Sequence, residues 1–258
     1  MEQLRQEPVN DLAWARRLEP PSLQTWPARE TSRLSGWLLR FTGGLSHRVN
    51  SVATLEFHGH DLTAAVDAAE RAYRARGLPP MFQVTAATRP EGLAQLLSAR
   101  GYVCVTPTLV CVAGVDIVRA RCAQAADAQL LMQANTGFDT LVISGSPSQA
   151  DGRERLEILS RIAVPHVRIT IAAQGKPVAC GTGALALGRV GINLMRTDPD
   201  CRRRGHAKHV LRAIADWSHA QGASEIFLSV EEANSAARRL YESIGFARAY
   251  AYRYYRKD

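Results

Sequence analysis

Apolar positions recur along the chain at helical and strand periods in alternation. Residues 3–19 read as a charged, weakly amphipathic helix, with Pro20-Pro21 as its expected stop and Trp26-Pro27 just beyond. Residues 36–41 (G-W-L-L-R-F) read as a strand, Gly43-Gly44 as a turn and 49–57 as a second strand. Asp61 caps a predicted helix over 62–76, and Gly77 ends it. A strand over 81–86 precedes a helix that Pro90 opens and Gly101 stops, and the Val-rich stretch 102–112 is again a strand. Further on, 127–135 looks helical, whereas 135–160 is mixed and yields no single period. Strands over 167–173, 178–187 and 190–197, with a turn at Gln174-Gly175-Lys176, form an antiparallel meander. A helix over 206–221 stops at Gly222, a strand covers 225–230, Asn234 or Ser235 caps a helix ending at Gly245, and the last strand is 249–256.

The two halves repeat one pattern. At a constant offset of 144 residues Gly101 falls on Gly245, Tyr102 on Phe246, Leu96 on Leu240 and Phe82 on Ile226. Self-similarity of that length points to duplicated units, taken as 1–115 and 116–258. The copies differ where chemistry would sit: Asn234 is matched by Pro90, and Tyr241 by Leu97. The second unit keeps polar groups that the first lacks.

Composition narrows the class. With 258 residues, 46% hydrophobic and 22% charged, the chain has enough apolar material for a sizeable core, and disorder as the main state is excluded. The 32 basic residues exceed the 24 acidic ones by 8, so the surface attracts anions. Only Lys176, Lys208 and Lys257 are lysines; a chain-wide preference for Arg accounts for part of that charge. Cys104, Cys111, Cys122, Cys180 and Cys201 form no C-x-x-C pair, which argues against zinc and for reduced thiols in a cytoplasmic protein. His206 and His209 lie three apart without a third ligand at sensible spacing, and His58-x-His60 reads as a loop pair, so no metal is expected. Residues 1–17 lack an apolar leader core and no apolar run is long enough to cross a bilayer, so no membrane partner is expected.

Residues 190–211 (V-G-I-N-L-M-R-T-D-P-D-C-R-R-R-G-H-A-K-H-V-L) carry the chemistry. A strand runs into a tight loop that opens a helix, with Ala207, Val210, Leu211 and Ile214 as its buried stripe. First-turn amides have no intrahelical partner, and with the helix dipole they make an anion site suited to phosphate. Arg202, Arg203 and Arg204 add charge and planar donor forks. The segment is neither G-x-x-x-x-G-K-[ST] nor G-x-G-x-x-G, which disfavours Walker-type and Rossmann sites.

R-x-x-G-x-A, as Arg202, Gly205 and Ala207, resembles the pyrophosphate loop of the GNAT superfamily of acetyl-CoA-dependent N-acetyltransferases. Asn234, Ala237, Leu240, Tyr241, Gly245 and Phe246 stand where that family has N-x-x-A-x-x-L-Y-x-x-x-G-F. The resemblance covers roughly 116–258; the first half is similar, less specifically, to the N-terminal part of two-lobed bacterial members. It implies an α/β fold of two GNAT-like lobes, each a mostly antiparallel twisted sheet flanked by helices, the first a degenerate copy that shapes the acceptor cleft.

The resemblance also implies roles. The backbone of Arg202, Arg203, Arg204, Gly205, His206, Ala207 and Lys208 would hold the CoA pyrophosphate. A splayed strand with Met195, Arg196 and Thr197 would pair with pantetheine, and an N–H near Met195 would polarise the thioester carbonyl. Asn234 would bond the pantetheine arm and Tyr241 the departing sulfur. Many relatives place a Glu where Ser229 stands, leaving Glu231, Glu232 and Asp139 as candidate bases. Cys180 and Cys201 read as packing residues, so attack is direct and without an acyl-enzyme. Trp37, Arg40, Arg48 and Asn50 are placed either in the acceptor cleft or in ordinary packing. The acceptor would be a small-molecule or peptide amine, and a homodimer stays open. A non-catalytic acyl-CoA-binding regulator is the first rival; a nucleic-acid binder resting on the +8 charge ranks low, because no reading motif is present.

Overall fold

The computed structural model describes residues 10–122, 129–132 and 135–257. Helix α1 spans Asp11–Thr25, opened by Asn10, whose Oδ1 accepts from Ala13 N at 3.0 Å. It runs straight through Pro20 and Pro21, the expected stop. The carbonyls those prolines leave unbonded belong to Arg16 and Arg17, both exposed, so water serves them, while Ala15, Leu18 and Pro21 are buried. The part of the predicted helix before residue 10 lies outside the described residues.

Strand β1 (Glu30–Leu34) pairs with β2 (Trp37–Phe41) through a turn at Ser35-Gly36. Four of its five residues are exposed, and an edge strand of polar residues carries no period to read. The strand expected over 49–57 shrinks to β3 (Val52–Ala53), preceded by a 3-10 turn at His47–Val49. There Asn50, Ser51 and Thr54 are buried and hydrogen-bonded, satisfying locally what a strand ladder would otherwise satisfy. Helix α2 (Leu62–Arg74), β4 (Met81–Thr85), α3 (Leu93–Ala99) and β5 (Val103–Gly114) follow the sequence pattern. Helix α4 (Val115–Arg121) then leads to β6 (Gln129–Leu131), which pairs antiparallel with β7 (His166–Ala173). This corrects the helix expected over 127–135, as far as its residues are described; the chain there is an edge strand. The unreadable stretch resolves into α5 (Thr136–Ser144) and α6 (Gln149–Ser160), with side-chain caps from Asn135 and Ser148. The remaining elements are β8 (Lys176–Ala186), β9 (Arg189–Thr197), α7 (His206–Ala220), β10 (Glu225–Glu231), α8 (Ser235–Ser243) and β11 (Ala247–Arg256).

All eleven described strands join one sheet in the order β1-β2-β3-β4-β11-β5-β10-β9-β8-β7-β6. Only β3–β4 and β9–β10 pair in parallel. The α/β class therefore holds, and the two related halves share one continuous sheet. The 144-residue offset is structural: β4 and β10 begin that far apart, as do β5 and β11, and Gly101 and Gly245 both take left-handed φ. Each half gives its last strand to the other. β11 lies between β4 and β5, and β5 lies between β11 and β10.

Apolar clusters centre each half, and others, such as Trp26 and Val49 with Phe138 and Leu194, join the two. Val210, Leu211 and Ile214 of α7 pack with Val167, Ile169, Val190 and Ile192 of the sheet, and Trp37, Phe41, Tyr73 and Phe82 centre the first half. No helix of the described residues is long and apolar enough to cross a membrane.

Candidate active site

β9 and β10 pair only from Arg189 opposite Glu225 to Ile192 opposite Leu228, and then part. On the other side of β9, Thr182 opposes Asn193 and Cys180 opposes Arg196. Leu194 and Met195 therefore have no register partner on either strand. Leu194 sits at φ +56°, uncommon for a residue with a side chain, and the bulge re-aims the backbone at the mouth of the gap. Gly181 makes the bulge possible: a Cβ there would stand 2.5 Å from Met195 Sδ and 2.8 Å from Val210 Cγ1. Gly181→Ala is expected to destabilise the fold by ~1–3 kcal/mol through this overpacking, read as a lowered Tm in a thermal melt.

After β9 the chain makes a short 3-10 turn at Pro199–Cys201, held by Asp198 Oδ1 accepting from Asp200 N at 2.9 Å. Gly205, at φ +85°, is the N-cap of α7 and no side chain caps the helix. The N–H groups of Lys208 and His209 turn back to Gly205 O, so the amides before them precede the first intrahelical bonds. They open on a cleft of about 680 Å³. β9 lends it Met195, Arg196 and Thr197; the loop and α7 lend Arg202, Arg203, Gly205, His206, Ala207 and Lys208. Asn234, Ala236 and Ala237 close the far wall. Arg204 is exposed and does not line this cleft. The uncapped amides, the cationic loop and the alanine wall fit a long cosubstrate with a diphosphate.

A second cleft, of about 620 Å³, shares Gly145, Met195, Arg196, Asn234 and Ala237 with the first, so the two meet at the bulge. Tyr241 from α8 and Ser229 and Glu231 from β10 line it, with Asp151 and Arg155 from α6. The first half contributes His47, Arg48, Thr106 and Thr108. Tyr241 is 8% exposed, set edge-on to Phe246, and no described residue hydrogen-bonds its Oη. Burial pushes its phenol up to about 12, against the pull of nearby Arg196. Asn234 Oδ1 caps α8 by accepting from Ala237 N at 3.1 Å, while its side chain also lines both clefts. Arg196 donates from Nη1 to Met195 O at 3.0 Å, and among the described residues its buried Nε has no partner. Burial lowers its guanidinium pKa from the usual value.

Of the three candidate bases only Glu231 lines a cleft, at an exposed position; Glu232 and Asp139 line neither. Cys180 is fully buried and burial pushes its thiol up to about 12, which suits packing and not nucleophilic attack; Cys201 lines neither cleft. Among the described residues no group of three or more His, Cys, Asp or Glu is placed to hold a metal.

Of the four first-half residues considered for the cleft, Arg48 alone reaches it, with its Nη2 donating to Asn193 Oδ1 at 2.9 Å. Trp37 is in the core, its Nε1 donating to Arg89 O at 2.8 Å, and buried Arg40 donates to Ser51 and Gln83. Asn50 is buried and braces the loop before it, its Oδ1 accepting from Thr42 N and Gly44 N. The same loop docks on α6, where buried Glu154 accepts from Leu45 N at 3.2 Å, Ser46 N at 2.8 Å and Asn50 Nδ2 at 3.3 Å. Glu154→Ala is expected to cost ~1–3 kcal/mol, because it removes the acceptor of the buried Ser46 amide and two further bonds that hold the loop on α6, and the measurement is the denaturant midpoint.

A strand pair that opens beside a bulge, facing an uncapped helix N-terminus, is the arrangement that the resemblance to the GNAT superfamily of N-acetyltransferases implies. Residues 13–255 match the family model described as "Probable histone acetyltransferase Rv0428c C-terminal", and the chain belongs to that family. It is similar to the "Uncharacterized N-acetyltransferase YobR" of Bacillus subtilis, 26% identical over 238 residues, covering 90% of this chain and 94% of that protein. It also resembles the "[Ribosomal protein bS18]-alanine N-acetyltransferase" of Haemophilus ducreyi, 26% identical over 89 residues, which cover 34% of this chain and 61% of that enzyme. In fold it is similar to a GCN5-related N-acetyltransferase from Kribbella flavida, with TM-score 0.71 and 15% identity over 94% of this chain and 95% of that one. A tandem GNAT protein of the clavulanic acid biosynthesis pathway shares the fold at TM-score 0.66 and 10% identity, over 96% of this chain and 93% of that one. The chain is thus an acyltransferase of the N-acetyltransferase class.

Proposed function

We propose that acetyl-CoA lies in the first cleft and a primary amine enters by the second, so that acetyl passes directly between them in one ternary complex. The observation that carries this reading is the junction of the two clefts at Met195. The amides around Gly205, with Arg202, Arg203 and Lys208, hold the diphosphate. The Met195 N–H, preset in the bulge, stabilises charge that develops on the thioester oxygen. Asn234 holds the pantetheine arm. Tyr241 donates a hydrogen bond to the departing sulfur. A thiol has a pKa of about 8.5, so handing over a proton from a phenol near 12 is uphill by roughly 5 kcal/mol. The phenol therefore stabilises the thiolate and keeps its proton.

The division at 115/116 assigns the acetyl-donor machinery to the second half and one wall of the acceptor cleft to the first. The five cysteines are unpaired, which suits a reducing, cytoplasmic setting. The name of the Haemophilus relative gives an alanine of a ribosomal protein as its acceptor, which supports an amine as the acceptor class. The test is calorimetric titration with acetyl-CoA followed by a CoA-release assay over a panel of peptide and small-molecule amines. Saturable binding with amine-dependent release is expected. Binding with no release on any amine would favour a regulator.

A further inference from the structure

The first half supplies more than a wall. In the second cleft the groups able to take a proton from the attacking nitrogen are few. Asp151 is buried and accepts from Arg155 Nε at 2.6 Å and Nη2 at 3.2 Å, so both its oxygens are engaged. Glu231 is at an exposed position where β10 ends. The phenol of Tyr254 is raised far above its ordinary value by burial, and that of Tyr241 is also raised by burial. His47 remains, half-buried in the 3-10 turn that Glu154 docks on α6.

Its surroundings orient it. The ring stands edge-on to Tyr254, centroids 5.4 Å apart, and Nδ1 lies 3.2 Å from Thr106 Oγ1. Among the described residues nothing hydrogen-bonds Nε2. Thr106 occupies φ +50°, a left-handed conformation that a β-branched residue rarely adopts, at a register break between β5 and β11. That strain brings its hydroxyl to the imidazole. With Nδ1–H donating to Thr106, the lone pair of Nε2 is left for the cleft.

We infer that His47 Nε2 is the base that accepts the proton of the attacking amine, with Thr106 as its positioning residue. The inference rests on the acetyl-transfer reading above. The ammonium first loses one proton to solvent. Its nitrogen then forms the C–N bond to the acetyl carbon and gives its second proton to Nε2 as that bond closes. The C–S bond breaks, the sulfur takes a proton from water beside Tyr241, and His47 returns its proton to solvent. The products are the amide, the CoA thiol and one net proton.

A base must be unprotonated to act. Burial lowers the His47 pKa below 6.5, and so do Arg256 of β11 and Arg155 of α6; Glu231 of β10 opposes them. Arg48 is its neighbour in the same turn, Thr106 carries no charge, and burial holds the phenol of Tyr254 protonated. The imidazole is therefore neutral and competent at pH 7, and competence is lost as pH falls through its lowered pKa.

Two readouts test this, with an alanine-initiated hexapeptide as probe amine and intact protein. His47→Gln should leave calorimetric acetyl-CoA affinity unchanged, lower kcat by about 10²–10⁴-fold and remove the acidic limb of the kcat–pH profile, with partial rescue by added imidazole. Thr106→Val should move that limb with a smaller loss of kcat. NMR of ¹⁵N-histidine-labelled wild type, assigned against His47→Gln, should give Nε2 unprotonated at pH 7 and a midpoint below 6.5. A His47→Gln variant within twofold of wild type, an acidic limb that persists, or Nε2 protonated at pH 7 overturns the assignment while acetyl transfer stands. A wild type that binds acetyl-CoA and acetylates no amine overturns acetyl transfer itself, and this task of His47 with it.

Discussion

Gly205→Glu should raise the KM for acetyl-CoA by about a hundredfold or more and suppress calorimetric binding, with the fold retained. Two causes act together. Position 205 has φ +85°, and a side chain there costs ~1–2 kcal/mol of backbone strain. That cost alone is modest against the stability of a chain this size. The larger effect is chemical. A glutamate at the N-cap presents its own carboxylate to the amides of α7 that a diphosphate would use, and it adds a negative charge beside them. Space does not prevent this, since the nearest atom to a new Cβ is His209 Nε2 at 3.9 Å. Gly205→Ala separates the causes: it carries the strain without the charge, and its KM should move by only about tenfold or less. Equal losses in both variants would mean that the helix N-terminus binds no phosphate.

Tyr241→Phe removes one hydroxyl and keeps the ring that packs on Ile244 and Phe246. The expected result is a fall in kcat of ~10- to 1000-fold, with little change in Tm or in acetyl-CoA affinity. The interaction lost is made with a sulfur that carries charge only as the C–S bond breaks, so the loss belongs in kcat and not in KM. The wild-type pH profile sharpens the test. A phenol held near 12 is protonated up to about pH 11, and its donor is lost only as pH rises through 12. Tyr241 should thus contribute no alkaline limb between pH 7 and 10. If Tyr241→Phe retains wild-type kcat on a genuine acceptor, the residue is a core aromatic and no more.

The proposed acetyl-donor side was open to a reading from sequence because its chemistry is local. Gly205, Ala207, Asn234 and Tyr241 lie within two short segments whose spacing carries the signal, and the offset of 144 residues locates the second copy of the βα unit. The acceptor side was not. His47 lies in a turn beside a small strand, with neither periodicity nor a motif; it meets Thr106 and Tyr254, and the neighbouring Ser46 meets α6, through pairings separated by many residues. Arg40 and Asn50 stayed open between cleft and packing for the related reason that a polar side chain in a sequence looks the same whether it faces a ligand or bonds a buried backbone group. Pro20-Pro21 misled because the cost of two prolines, lost bonds and a ring crowding the carbonyl four residues back, is offset where those carbonyls belong to exposed residues and Leu18 and Pro21 are buried.

Strand exchange between the halves has a consequence for biosynthesis. β4 and β5 flank a slot that only β11 fills, and β5 is complete more than a hundred residues before β11 is made. During translation the first half must wait with an open seam, two unpaired edges available to any other extended chain. Burial of Tyr250, Tyr252 and Tyr254 comes only when the seam closes. Ribosome-stalled chains that stop short of residue 247 should therefore expose both halves to protease together, and release should protect both in a single step.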